Sequence, residues 1–365
     1  MRVLVAGAGV IGCAVGWELA RRGAAVTIAD PRRPGGGATQ ASAGMLVPYH
    51  EAEHAGPFRA LAERSLSLYD DFIERLTSLV TDARIDYSRT GALEIAFDEA
   101  TGARQRARAA ELGAAGIESR WLSADEARVL EPRLADTVRG GLLVATEGHV
   151  APDAMTEALA RAAVLSGATV VNRAVHGVQT SGPSLLAETD EGTLEADRVV
   201  IAAGSWSGQV EVEGDVPLPV RPVRGQLVRL DWPGPPLAQI VWSPRCYMVP
   251  RRDGTLLVGA TVEDVGFDER PTVGGVRDLL EAACEAIPDT RMAGFKEVRV
   301  GLRPAAPDGL PILGKSPATG AAVYATGHYR NGVLLAPVTA ALVADLVLDD
   351  RLDPMLAAFS PGRFS

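Results

Sequence analysis

The segment Gly7-Ala-Gly-Val-Ile-Gly12 constrains this chain more than any other. It follows a short apolar run, Arg2 to Ala6. It precedes Val10 to Arg22, which places Ile11, Val15 and Leu19 on one helical face. A second apolar run, Ala25 to Ala29, ends in Asp30. Strand, glycine turn, helix and strand form a β-α-β unit of about 30 residues, the usual size of such a unit. Gly7 permits the tight turn, Gly9 lets the backbone approach a pyrophosphate, and Gly12 lets helix and strand pack closely. Asp30 lies about 20 residues on, where a carboxylate holds a ribose hydroxyl. The pattern predicts a dinucleotide site, and the acid favours NAD or FAD over NADP.

A second constraint lies near the other end. Tyr324-Ala-Thr-Gly-His-Tyr-Arg-Asn-Gly-Val-Leu-Leu-Ala-Pro337 reads as an apolar strand, a polar glycine-punctuated loop, and an apolar helix running on through Val338 to Leu348. A loop that carries an arginine and opens a helix is a ready anion site, because free backbone N–H groups and the helix dipole point the same way. The two ends together suggest one cofactor gripped by both.

Composition excludes several classes. The formal net charge of -10, from 36 Lys+Arg against 46 Asp+Glu, argues against nucleic acid or an anionic membrane surface as the main partner. No stretch approaches the about 18 apolar residues of a membrane span. Gly7, Gly9 and Gly12 interrupt the opening apolar run too early for a signal peptide. Cys13, Cys246 and Cys284 are odd in number and widely spaced, so they are neither a disulfide framework nor a zinc site, and no metal is expected. They fit a reduced cytoplasm.

Between the two ends the sequence alternates. Helical pattern covers Phe58 to Leu79, Thr101 to Ala115, Asp153 to Ser166 and Gly274 to Ile287. Ser123 and Glu126 have capping-box spacing. Strand-like runs occur at 85–97, 169–178, 185–189, 198–202, 217–230, 247–250, 255–259 and 295–302. The expected fold class is therefore α/β (α+β), a discontinuous Rossmann-like FAD-binding domain with an inserted antiparallel-sheet substrate domain. The boundaries drawn are 1–84, 148–215 and 302–365 for the first, and 85–147 and 216–301 for the second.

Asp197-Arg-Val-Val-Ile-Ala-Ala-Gly-Ser-Trp206, a strand ending at Gly204, resembles the second strand-to-glycine element of flavoproteins with two dinucleotide-binding domains. The chain as a whole resembles the D-amino-acid oxidase superfamily, and within it the glycine oxidases of thiamine biosynthesis. The motifs are Gly7–Gly12, Ala38–Pro48, Cys246-Tyr-Met-Val-Pro250, Gly301-Leu-Arg-Pro304 and Gly327-His-Tyr-Arg-Asn-Gly-Val-Leu-Leu-Ala-Pro337, in the family's order over nearly the whole chain. Trp242-Ser-Pro-Arg245 departs from the family pattern, which points to a different wall at the entrance.

The resemblance implies non-covalent FAD, since neither Cys13 nor Cys246 matches the cysteine of covalent relatives. Around it the resemblance places Gly7, Gly9, Val10, Ile11, Gly12 and Asp30 from the first unit, then Ala43, Gly44 and Met45. Val175, Ala203, Gly204 and Trp206 follow, and the last loop adds His328, Arg330, Asn331, Gly332, Val333 and Leu334. Arg303 is the expected main partner of a substrate carboxylate, Arg330 its second, and Tyr247 the hydroxyl donor. Arginine suits this clamp because its planar fork meets a carboxylate with two parallel charged bonds. No acid–base residue is required for hydride transfer from Cα, so His328 is read as a structural histidine.

The implied activity is an oxidase of glycine and other small amines or D-amino acids. It reduces O2 to H2O2 and yields an imine that hydrolyses or serves thiamine's thiazole. The alternatives are a D-amino-acid dehydrogenase or a sarcosine oxidase of the same fold. The family implies a homo-oligomer, a tetramer, in the cytoplasm. The sequence does not rank glycine, sarcosine and small D-amino acids.

Overall fold

The computed structural model describes residues 1–52 and 54–364. Strand β1 (Arg2–Ala6) leads through the glycine turn into helix α1 (Val10–Arg21), and β2 (Ala25–Ala29) returns beside β1 in parallel. Packing dictates two of the three glycines. A Cβ at Gly12 would overlap the Gly7 carbonyl oxygen, and one at Gly7, where φ is +113°, would overlap that of Ala202. Gly9 is different, because a Cβ there would meet nothing nearer than Thr39 Oγ1 at 3.6 Å.

β1 and β2 lie inside a six-stranded sheet ordered Ile312–Lys315, Ala322–Thr326, Arg198–Ile201, β1, β2, Thr169–Val171. All neighbours are parallel except the first pair. The stretch 169–178, expected as one strand, divides. Thr169–Val171 ends the six-stranded sheet, whereas Val175–Ser181 joins a four-stranded sheet with Ser184–Thr189, Gly192–Ala196 and Glu211–Val212.

An eight-stranded sheet forms the other large layer. Its order is Gly294–Ala305, Arg221–Asp231, Thr255–Gly259, Tyr247–Pro250, Ile240–Trp242, Ala92–Ala96, Gly140–Val144, Ser119–Ser123. It is antiparallel except where Ile240–Trp242 runs parallel to Ala92–Ala96. Pro304 is tolerated inside the strand Gly294–Ala305 because that strand is an edge. Arg303, expected at a strand end, is thus gripped within the strand, opposite Val223. Helix Val273–Ala286 covers one face of this sheet through Leu279, Ala282 and Ala283. Ser123 and Glu126 form the expected capping box.

Three further helices enter here: α2 (Pro48–Glu51), α3 (Pro57–Ser67) and α4 (Tyr69–Leu79). The helical pattern at 58–79 therefore breaks once, at Leu68. The C-terminal helix, Gly332–Leu348, starts within the loop motif and is buried almost all round, against α1, α3 and α4. A helix that is apolar on every face needs such a wrapping.

Pro337 sits inside that helix and has no N–H to give the Val333 carbonyl. The Tyr69 hydroxyl of α4 donates to Val333 O instead. One residue on, the Ser65 hydroxyl of α3 donates to Leu334 O at 2.6 Å and accepts the Val338 N–H at 3.4 Å. Tyr69 thus satisfies the carbonyl left by the missing rung, Ser65 bridges the next rung, and together they pin the start of the last helix. Tyr69→Phe is expected to leave a buried carbonyl unpaired and to lower the unfolding free energy by about 1–3 kcal/mol, measured by urea denaturation.

Candidate functional site

A cavity of about 540 Å³ runs between the two large sheets, from the glycine turn to the strand that carries Arg303. At one end lies the start of α1. Its N-cap residue, Gly9, offers no side chain, and Thr39 Oγ1 accepts the Val10 N–H at 3.1 Å. Gly7, Gly9, Val10 and Ile11 line the cavity here. Asp30 lines it too, its carboxylate fixed by the N–H groups of Ala8 at 2.7 Å and Arg32 at 2.8 Å.

The middle is walled by Ala43, Gly44 and Met45, and by Val175, Ala203, Gly204 and Trp206. Gly44 has φ +65°, and a Cβ there would overlap the Val150 carbonyl oxygen, so a neighbouring strand demands the glycine. The last helix presents Asn331, Gly332 and Val333, again with no side-chain cap. Its unsatisfied N–H groups and positive dipole end face the same cavity that α1 faces. His328 and Arg330 complete this wall.

Two expected cofactor residues stand apart from the lining. Gly12 packs on the Gly7 carbonyl, and Leu334 is in the core at 1% exposure. Gly12 acts through closeness of helix and turn, and Leu334 points its side chain inward among apolar neighbours.

Arg303 and Tyr247 meet at the opposite end. Arg303 Nη1 donates to Thr261 O at 2.9 Å and to Arg224 O at 3.3 Å, which leaves the rest of the guanidinium for a ligand. Both side chains lie over glycines. A Cβ at Gly225 would collide with the Arg303 guanidinium, and one at Gly259 with the Tyr247 hydroxyl. Burial raises the Tyr247 pKa, with Arg303 opposing it, so the phenol stays a donor at neutral pH. Arg330, expected as the second carboxylate partner, pairs with Glu51 at 3.0 Å.

Among the charged lining residues, sequence reading passed over two, Glu51 and Arg32. Glu51 follows Pro48, a helix-start signal that could have marked α2. Arg32 stacks over Trp206 at 4.5 Å and makes two bonds to Glu269, at 2.9 and 3.0 Å. Trp206 in turn touches Phe267 at 5.5 Å, so this cluster closes the Asp30 end. Trp242 and Arg245, from the divergent segment, also line the cavity, and Arg245 is tied to Glu285 at 3.0 Å.

The two buried cysteines, Cys13 and Cys246, are chemically quiet. Burial pushes the Cys13 thiol up to about 12 and the Cys246 thiol up to about 11. His328 is buried and bonded to Thr339 Oγ1 at 3.1 Å, and burial pulls its pKa down to about 3. The imidazole is therefore neutral near pH 7. Below its ordinary value of 6.5 the unfolded chain binds a proton that the folded chain refuses, so stability falls as pH drops towards 3. Denaturation midpoints at pH 7, 6 and 5 are expected to fall less steeply in His328→Gln than in the parent.

The donors suit a flavin dinucleotide. An open position at Gly9 leaves room for a pyrophosphate, Asp30 retains acceptor capacity for ribose hydroxyls, and a second helix start would offer its N–H groups to the far ring. Residues 2–346 match the model of the family described as FAD dependent oxidoreductase. The bifunctional protein ThiO/ThiG of Synechocystis sp. is 35% identical over 374 residues, covering 99% of this chain and 54% of that protein. The chain thus spans about half the length of the bifunctional relatives it matches. The glycine oxidase of Geobacillus kaustophilus is 36% identical over 364 residues, covering 99% of this chain and 96% of the relative. A crystal structure of glycine oxidase from that organism superposes with a TM-score of 0.93 at 35% identity, covering 98% of each chain. The chain belongs to the FAD dependent oxidoreductase family, with its mixed α/β fold, and FAD is its cofactor.

Proposed function

We propose that this chain oxidises glycine and other small amines or D-amino acids, passing two electrons through FAD to O2. The overall change converts amino acid, O2 and water into keto acid, ammonia and H2O2, unless the imine is used directly, as in thiazole formation. The observation that carries this reading is the placement of Arg303 and Tyr247 over Gly225 and Gly259, in one cavity with two helix starts whose N-cap residues make no side-chain cap bond. The named relatives, glycine oxidases and ThiO proteins, support it.

Bound FAD supplies the two-electron acceptor. The protein's own part is positioning. The α1 start would take the pyrophosphate, Asp30 the ribose and the Val175 backbone the adenine. Of the expected amides Asn331 to Leu334, those of Gly332 to Leu334 would favour negative charge at the far ring edge, because the Asn331 N–H donates to His328 O at 2.8 Å. Arg303 takes the substrate carboxylate in a fork, Tyr247 donates to it, and Arg330 adds a second positive charge. Alignment of Cα–H then supplies much of the acceleration, with no acid or base needed at carbon. The residue blocks 1–84, 148–215 and 302–365 would form the cofactor domain and 85–147 and 216–301 the substrate domain, with Arg303 and Arg330 reaching the substrate from the former. Among the described residues no helix is long and apolar enough to cross a membrane. A cytoplasmic homotetramer remains the reading taken from the family.

The purified protein in air is expected to give peroxide in a coupled assay with glycine, and none with glycine, sarcosine or D-alanine rejects the function. Arg303→Ala removes a charged hydrogen-bonding partner worth about 3 kcal/mol, so KM for glycine is expected to rise about a hundredfold while the protein stays yellow. Gly9→Val fills the open position and is expected to give colourless protein, read from the absorption spectrum.

A further inference from the structure

Among the described residues, the cavity lining contains one acid that the binding scheme above leaves without a task. Asp30 and Glu51 are the carboxylates of that described lining, and Asp30 is held at the far end by two backbone N–H groups. Glu51 lies at the Arg303 end, with its side chain 5% exposed and Oε2 3.0 Å from Arg330 Nη2.

Its position is built. Glu147 is fully buried and accepts the N–H groups of Tyr49 at 2.9 Å and His50 at 3.3 Å, which fixes the start of α2. The same carboxylate holds His50 Nδ1. The His50 ring stacks on Trp242 at 5.7 Å, and Trp242 packs against Tyr247 at 5.8 Å. A chain of contacts therefore ties the element bearing Glu51 to the hydroxyl expected to meet the substrate.

The charges define what such an acid can bind. Arg330 and Asn331 face Glu51 from the last loop, Arg303 from the edge strand, Tyr247 from the start of strand Tyr247–Pro250, and His50 from α2 itself. Beyond His50 stand Glu147, Glu94 and Arg108. Two guanidinium groups and a phenol match one carboxylate. They offer nothing to an ammonium, and without an acid they would favour a bare carboxylate ligand over a zwitterion.

Resting on the amine-oxidation reading, we propose that Glu51 receives the substrate's amino group. Its carboxylate pairs with the ammonium and takes one proton from it. The N–H bond breaks with its electron pair left on nitrogen, and an O–H bond forms on Glu51. The neutral amine then has the lone pair needed to form C=N as the Cα hydrogen leaves with two electrons for FAD. Burial raises the Glu51 pKa against the opposing pull of Arg330, and burial of an ammonium lowers its own, so the two approach each other. Arg330, whose side chain is 42% exposed, can turn from Glu51 to the incoming carboxylate. Glu51 is then a catalytic residue, and its proton leaves before oxidation at carbon.

The test uses the holoenzyme without air. The parent should bleach with glycine at pH 7. Glu51→Gln should bleach about a hundredfold more slowly at pH 7, the usual size of a lost proton transfer, and its rate should climb about tenfold per pH unit towards pH 9 as free amine becomes available. Acetate, which has no amine, should perturb the flavin spectrum of Glu51→Gln at equal or lower concentration than in the parent. A parent-like rate and pH profile overturns the proposal. So does a joint loss of glycine and acetate affinity, which would mean that Glu51 only anchors Arg330. If Glu51→Gln loses its colour, Glu51→Asp keeps the charge but withdraws it by one methylene, and should bleach at least about tenfold more slowly with unchanged acetate binding. A parent-like rate in Glu51→Asp then overturns it. A parent that glycine, sarcosine and D-alanine all fail to bleach rejects the amine-oxidation reading itself, a result distinct from each of these.

Discussion

Two helices begin at the same cavity, and the rest of the molecule is arranged so that they can. α1 and the C-terminal helix share the largest apolar core, where their sides bury against each other and their starts remain polar. Each helix start carries unsatisfied N–H groups and a partial positive charge. Leaving two such ends side by side is costly unless an anion meets them. A dinucleotide with a pyrophosphate at one point and an electron-rich ring edge at another satisfies both. The bracing of the helix around Pro337 by Tyr69 and Ser65 serves the same end, since it fixes the C-terminal helix one turn from the residues that face the cavity.

The opposite wall solves a different problem, which is how to present large polar side chains without filling the cavity. The edge strand Gly294–Ala305 and its neighbours place Arg303 and Tyr247 across from glycines 225 and 259. A side chain at either glycine would push the functional group out of place. The specificity of the pocket therefore depends as much on missing Cβ atoms as on the arginine and the tyrosine.

Local signals in the sequence were readable where the physics is local. The β1-α1-β2 unit, the capping box at Ser123 and the helix at 273–286 follow from periodicity, glycine spacing and cap chemistry within a few residues. The break at Leu68 was not readable, because the apolar pattern from 58 to 79 runs through it. The division of 169–178 between two sheets depends on partners far along the chain, as does the parallel pairing of Ile240–Trp242 with Ala92–Ala96. The same holds at the site. Gly9 and Asp30 sit in a motif, whereas Glu51 and Arg32 are single charged residues whose partners, Arg330 and Glu269, lie more than 200 positions away.

This distinction explains why the cofactor was easier to infer than the substrate chemistry. A dinucleotide is bound largely by backbone N–H groups and glycine geometry, which a short motif encodes. A small zwitterion, the substrate proposed above, would be bound by side chains drawn from α2, two strands and the last loop, so its recognition would exist only after the chain has folded. Glu51 shows the difference within one pair. Arg330 belongs to a contiguous motif, while the acid that neutralises it comes from a four-residue helix held by a buried glutamate 98 positions away in sequence. The balance of charge at the Arg303 end, among the described residues Glu51 between Arg303 and Arg330, is a property of tertiary structure. On the proposed roles, that balance would decide whether the site prefers a carboxylate or an amino acid.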